Sequence, residues 1–358
     1  MLWLTWRQFR TQAAVVAGVL AVIAVALAVT GPHLVHLYDT AVKPCASRGD
    51  CGVVTTSFTK NDRLLQQLGQ VVLAAPALIG IFWGAPLVAR ELENHTFRLA
   101  WTQSVSRTRW LALKLGLVGL ASMAAAGLLS LMVTWWSSPF DRITDSPFSP
   151  SSFDRRDLVP LGYAAFALAL GVTAGVLIRR TLPAMAATLV AFIGVRVAFF
   201  EWVRPHLMTP LRTLTPLDAQ PGVVLGPAGY AYGHINSADW ILSAQTLNGA
   251  GRVIGENGGI GPNGALDFNV SPNGTLSLKG VGACPDKAPV GSPRLGAPSP
   301  AFQHAAQQCL DKLHVREVLN YQPTSRYWAF QWYETAIFVG LALLLAGFCF
   351  WWVRRRLS

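Results

Sequence analysis

The chain has 358 residues, 52% of them hydrophobic and only 13% charged, with a mean hydropathy of +0.38. A soluble domain carries about 25% charged residues, so the composition excludes an ordinary soluble protein and points to a polytopic membrane protein. The net charge of +11 would suggest a nucleic-acid partner in a soluble chain. Here the basic residues cluster beside apolar runs, and no basic stretch with interleaved aromatics forms a nucleic-acid face, so no nucleic acid is expected.

Residues 1–12 carry Leu2, Trp6 and Phe9 at helical spacing, with Arg7 and Arg10 off that stripe. They predict a helix in the cytoplasmic interface. Ala13 to Val29 is the first predicted span. Ala26-Leu27-Ala28 resembles a signal-peptide cleavage site, a rival that the tryptophan-rich start disfavours. The next loop holds Cys45 and Cys51, and also His33 and His36, which lack the third ligand a metal site needs. Leu68 to Ala89 is the second span. Its Pro76 and Pro86 kink it and suit a helix packed inside a bundle. Lys114 to Trp136 is the third, with Gly116, Gly119 and Gly127 offering a close-contact surface.

A short Ser-, Pro- and Asp-rich loop, 137–157, leads to the fourth span, Leu158 to Ile178, with Gly162, Gly171 and Gly175. Arg179 and Arg180 mark the cytoplasmic side, and the fifth span runs from Pro183 to Phe200. Arg196 lies within it near the outer end. A charge inside a span is often functional, but this one is placed to snorkel.

Residues 202–330 contain no apolar span and form a large extracytoplasmic segment rich in Gly, Pro and Asn. Short alternating pieces such as Leu276-Ser277-Leu278 predict small strands, and Ala301 to Leu319 predicts a helix. Its glycines do not make a phosphate loop, because no Gly-Lys-Ser or Gly-Lys-Thr follows them. The sixth span is 331–353, with Glu334 near its outer end, and Arg354 to Arg356 open a cytoplasmic tail, 354–358.

The reading is therefore an all-α polytopic membrane protein of six transmembrane helices. Spans 1 to 5 lie within 13–201, and both termini are cytoplasmic in the cell membrane. The arginines beside the even-numbered connections support that orientation. Of the five cysteines, Cys45 and Cys51 share one outer loop, and Cys284 and Cys309 share another. Two disulfides in an oxidising compartment are expected, against the alternative of four unpaired thiols.

Residues 90–110 form a polar island between two uncharged flanks, broken only by Lys114. The island reads as a helix end at Glu91 and Glu93, a turn at Asn94 and His95, and an amphipathic helix around Phe97 to Trp101. A new helix start follows, capped by Ser104 or Ser106. A solvated loop would explain its arginines but not its acidic pair, two tryptophans and apolar stripe.

The run Arg90-Glu91-Leu92-Glu93, Thr96, the apolar residues at 97–101, then Ser104-Val105-Ser106-Arg107-Thr108-Arg109 and Lys114, resembles the cytoplasmic loop of ABC-2-type permeases. The overall plan is similar too, and Tyr321 to Gln331 resembles a run common in actinobacterial members of that family. The resemblance implies that this loop couples to a separate ATPase subunit, which binds the ATP and magnesium. It also implies that a second permease subunit, in a homodimer, completes the path through the lipid. Residue by residue, it assigns coupling to Glu91, Glu93, Thr96, Phe97, Arg98, Trp101, Thr102, Ser104, Arg107 and Arg109.

The chain carries no nucleotide-binding motif, no nucleophile with base and acid partners, and no carboxylate dyad in a span, so no enzyme is expected. The leading expectation is the permease of an ABC exporter. The alternative is a membrane-anchored sensory or structural protein whose outer segment binds a ligand or partner; a membrane-embedded enzyme ranks last.

Overall fold

The structure, a computed structural model, describes residues 2–43, 63–94, 106–141, 147–148, 150–216, 239–256, 268–270, 275–278, 282–287 and 300–356. Among the described residues, six helices are long and apolar enough to cross a membrane: Arg10–Thr40, Gln67–Glu93, Thr108–Ser138, Val159–Ile178, Thr181–His206 and Thr324–Arg355. These are spans 1 to 6, and the chain is an all-α polytopic membrane protein in its spanning part. It divides into two compact units, Met1–Leu207 with Tyr327–Ser358, and Met208–Arg326.

Span 1 belongs to one helix, Leu2–Leu37, so no break at residue 12 separates the first turns from the span. It is the least buried span and exposes Val15, Val19, Val22 and Val29. Span 4 is the most buried, and the bundle is built around it. Its glycines explain why. A side chain on Gly171 would stand 2.3 Å from the carbonyl oxygen of Gly80, and one on Gly175 would stand 2.7 Å from that of Ala85. Backbone therefore meets backbone where spans 2 and 4 cross.

Span 2 accommodates the crossing with a π-helical turn, Gly80–Gly84, between the helices Arg63–Ile79 and Ala85–Glu93. Such a turn is a common kink and is frequently functional. Pro86 lies in the first turn after it. The small residues of span 3 do not play the part expected of them within this chain. Gly116 meets nothing, and Gly119 and Gly127 make only ordinary contacts with Leu168 and Leu161. The tight glycine surface lies on spans 2 and 4 instead.

The second unit holds a four-stranded antiparallel sheet in the order β1-β7-β2-β3. Its strands are β1 (Leu211–Pro216), β2 (Trp240–Leu247), β3 (Val253–Glu256) and β7 (Arg316–Gln322). A three-stranded sheet, β4 (Phe268–Val270), β5 (Thr275–Leu278) and β6 (Gly282–Lys287), follows chain order. The β2–β3 turn is made by Asn248, whose side-chain oxygen accepts from the backbone N–H of Ala250 and Arg252, and by Gly251 at φ +76°. The unit's two chain ends are tied together: Gln322 donates to the Met208 carbonyl at 2.7 Å and Arg326 to that of Thr209 at 2.7 Å.

The helix expected over 301–319 ends early, at Lys312. His314 adopts a left-handed φ of +48°, and the Val315 N–H reaches back to the Leu310 carbonyl, a helix-stop geometry. The chain then enters β7, an interior strand of the sheet, whose Val318 and Leu319 are buried.

Candidate functional site

The polar island joins spans 2 and 3 at one end of the bundle, called here the loop end. Thr96, Phe97, Arg98, Trp101, Thr102 and Ser104 lie outside the described residues, so the docking helix expected at 97–101 does too. The two feet of the island are described.

The first foot is the end of span 2. The Asn94 N–H closes the last turn onto the Arg90 carbonyl at 3.1 Å. Glu91 points across to span 3 and pairs with Lys114, whose ammonium also lies 3.5 Å from the Leu87 carbonyl and over the Trp110 ring at 4.9 Å. Lys114, the one charge in an otherwise apolar flank, is buried by this arrangement and neutralised by it. Glu93 points the other way. Its Oε2 accepts from the Thr181 N–H at 3.0 Å and from the Thr181 hydroxyl at 2.6 Å. Thr181 opens the helix of span 5, so Glu93 caps that helix from outside and places its carboxylate where the helix dipole favours negative charge.

The second foot is the start of span 3. Ser106 is the cap, its hydroxyl accepting from the Arg109 N–H at 3.4 Å. Arg107 is the first residue of the helix Arg107–Asp141, and Arg109 stands exposed one turn in. Beneath both feet lies an apolar cluster of Val88, Leu92, Trp110, Leu111, Val172, Val176, Cys349 and Val353, drawn from spans 2, 3, 4 and 6. Ala85, Ala89 and Ala184 bring span 5 against the same end of span 2.

Of the ten residues assigned to coupling, the structure thus places four at the feet: Glu91, Glu93, Arg107 and Arg109. It adds two that the assignment left out, Lys114, already part of the resembling run, and Thr181. A lysine isolated in an uncharged run was the available signal for the first. Nothing local marked the second, 88 residues from its partner.

Cys284 and Cys309 are bonded, their Cα atoms 5.2 Å apart, which fastens β6 to the helix Pro300–Lys312. Cys45 and Cys51 lie outside the described residues. Cys349 is a buried free thiol beside the Thr173 hydroxyl at 3.2 Å. Among the described residues no group of His, Cys, Asp and Glu could hold a metal ion.

Six apolar helices, with spans 2 and 4 crossing at glycines, define a multi-pass membrane protein. The ABC-2 membrane transporter related family matches residues 17–204, and the chain belongs to that family. No curated protein and no solved structure matches the chain.

Proposed function

We propose that this chain is the membrane-spanning permease subunit of an ABC exporter, with residues 90–110 coupling it to a separate ATPase that binds ATP and magnesium. One observation supports this most: the island's first foot is bonded to two different spans, by Glu91 to Lys114 and by Glu93 to Thr181. A push on the connector is then felt by spans 3 and 5 together with span 2. A loop that merely fixed topology would need no such ties. The loop end is cytoplasmic on this reading, as are both termini, in the cell membrane. The disulfide of the 208–326 unit suits the opposite, oxidising side. A second copy of the chain, packed through lipid-facing helices, completes the path.

The test is co-purification with the ATPase. Trp101→Ala should weaken capture and uncouple substrate-stimulated ATP hydrolysis, while a topology reporter stays where it was. Full ATPase recovery with normal stimulation would sink the docking role.

The 208–326 unit favours a second reading, a sensory or structural protein anchored by its spans. A chain that captures no ATPase but binds a ligand through that unit would establish it.

A further inference from the structure

At the end of the bundle opposite the connector, the distal end, residues 150–158 before span 4 turn inward. Asp154 is 8% exposed there, and its two oxygens accept from Arg196 and Arg204 of span 5. Arg204, 1% exposed, donates from Nε to one oxygen of Glu334 in span 6 at 2.9 Å and from Nη2 to the other at 2.8 Å. The Tyr163 hydroxyl of span 4 donates to Glu334 and lies 3.2 Å from Arg204 Nη2. Arg196 therefore does not snorkel to water. It also reaches the Leu73 carbonyl of span 2 at 3.4 Å. Two cations and two anions share one site, buried except at Arg196.

The backbone of the inward segment hangs from span 6. Gln331 accepts from the N–H groups of Leu158 and Val159 and donates to the Phe153 carbonyl. Tyr327 donates to Asp157. Aromatic rings close the site on both sides. The Arg204 guanidinium lies 4.5 Å from the Phe153 ring and 5.2 Å from that of Phe200. Tyr163 meets Phe338 at 4.7 Å.

Stability alone does not explain this arrangement. Dehydrating ions costs several kcal/mol each, and apolar packing of equal volume holds a core at least as well. Ionisable groups inside a membrane mark function by default, and buried charge networks suit two-state elements. The medium into which the partners separate decides what the network can do. Parted into hydrocarbon, each ion is stranded. Parted into water, each is rehydrated. The network lies where spans 4, 5 and 6 reach their distal ends, so opening on that side is the cheap route.

We propose that this network is a distal latch. It holds spans 5 and 6 together around the 150–158 segment while the path is shut, and it releases by hydration of its charges when those spans part. It rests on the exporter reading only for what drives the release; the release itself is a property of this chain.

The reporter is Thr335→Cys, beside Glu334, where the threonine hydroxyl is buried without a hydrogen-bond partner. Full-length chain in membrane vesicles is treated with a charged, membrane-impermeant methanethiosulfonate, and labelling of the reporter is timed. Cys349, buried at the other end of span 6, reports overall loosening through a membrane-permeant reagent. Glu334→Gln should speed reporter labelling about tenfold, the ratio equivalent to ~1.4 kcal/mol, with Cys349 unchanged. Tyr163→Phe, which removes one hydroxyl donor, should raise it less, and it decides the matter if Glu334→Gln does not fold. The triple change Asp154→Leu, Arg204→Met, Glu334→Met replaces the latch by apolar packing and should label no faster than the unmodified network. Unchanged reporter rates in both single variants would overturn the latch, as would parallel rises at the reporter and Cys349, or a triple variant that labels as fast as Glu334→Gln. In vesicles carrying the ATPase as well, ATP should speed labelling. No ATP effect beside a clear Glu334→Gln effect would leave the latch standing and count against the exporter reading.

Discussion

The two ends of the bundle use charge in opposite ways. At the loop end the polar groups are tied pair by pair: the part-exposed Glu91 with the buried Lys114, and Glu93 with Thr181. At the distal end Arg204, Glu334, Asp154, Tyr163 and Arg196 share one buried site, and each touches at least two others. The difference teaches that a bond at a helix end can transmit a push without being costly to break, whereas a shared buried network holds as a whole or not at all.

The largest effect should come from removing the centre of the distal network. Arg204→Ala strands Glu334 without a cation, leaves Asp154 with Arg196 alone, and should cost about 3–5 kcal/mol of unfolding free energy. Denaturation in detergent measures it. A loss no larger than that of a loop-end variant would erase the contrast between the two ends.

Glu317 of β7 shows what a buried carboxylate does without its arginine. It is 1% exposed, opposite Thr215 and Thr246 in the sheet, and its Oε1 has no hydrogen-bond partner. Burial pushes its carboxyl up from the ordinary 4.5 to about 7. The folded unit therefore holds this proton more tightly than the unfolded chain does. Stability should fall as pH rises from about 4.5 to 7, and the whole penalty is present above pH 7. Urea midpoints at pH 5 and pH 8 should differ by the equivalent of about 2–3 kcal/mol in the native chain. Glu317→Gln should remove this contribution.

Next in size is Trp101→Ala, which should weaken ATPase capture by about 2 kcal/mol with no loss of stability. Arg98→Ala, a rim charge, should do less. A pull-down series with graded salt separates the two, since a rim charge is screened and a buried ring is not.

The smallest stability effect should be at the loop end itself. Lys114→Met keeps the side chain's apolar length and leaves Glu91, 17% exposed, within reach of water. The expected cost is about 1–2 kcal/mol. If instead it matched Arg204→Ala, the loop end would be a buried network of the same kind.

Much of the loop end was legible in the sequence. The island between uncharged flanks, its acidic pair and its serine cap are neighbours in the chain, and Ser106 does cap span 3. The distal site was not legible. Its acidic and basic members lie in a loop and two spans, with bonded pairs 42, 50 and 130 residues apart, and each taken alone reads as a span-end charge. Asp154 in particular sits in a Ser- and Pro-rich run that reads as solvated loop, and only the fold turns it inward.

Six apolar spans, their order and their approximate places were legible in the sequence, and it led to the expectation, which the structure bears out, that Cys284 pairs with Cys309. These follow from local length, hydropathy and proximity along the chain. The tertiary structure alone decided that the close crossing uses Gly171 and Gly175 against span 2 rather than the glycines of span 3. It alone ended the 301–319 helix at Lys312 and paired the half-buried Arg196 with Asp154. The reason is common to all three. A glycine, a helix end or an arginine in an apolar run suits several surroundings equally well locally, and only the packing partner, supplied from far along the chain, selects among them.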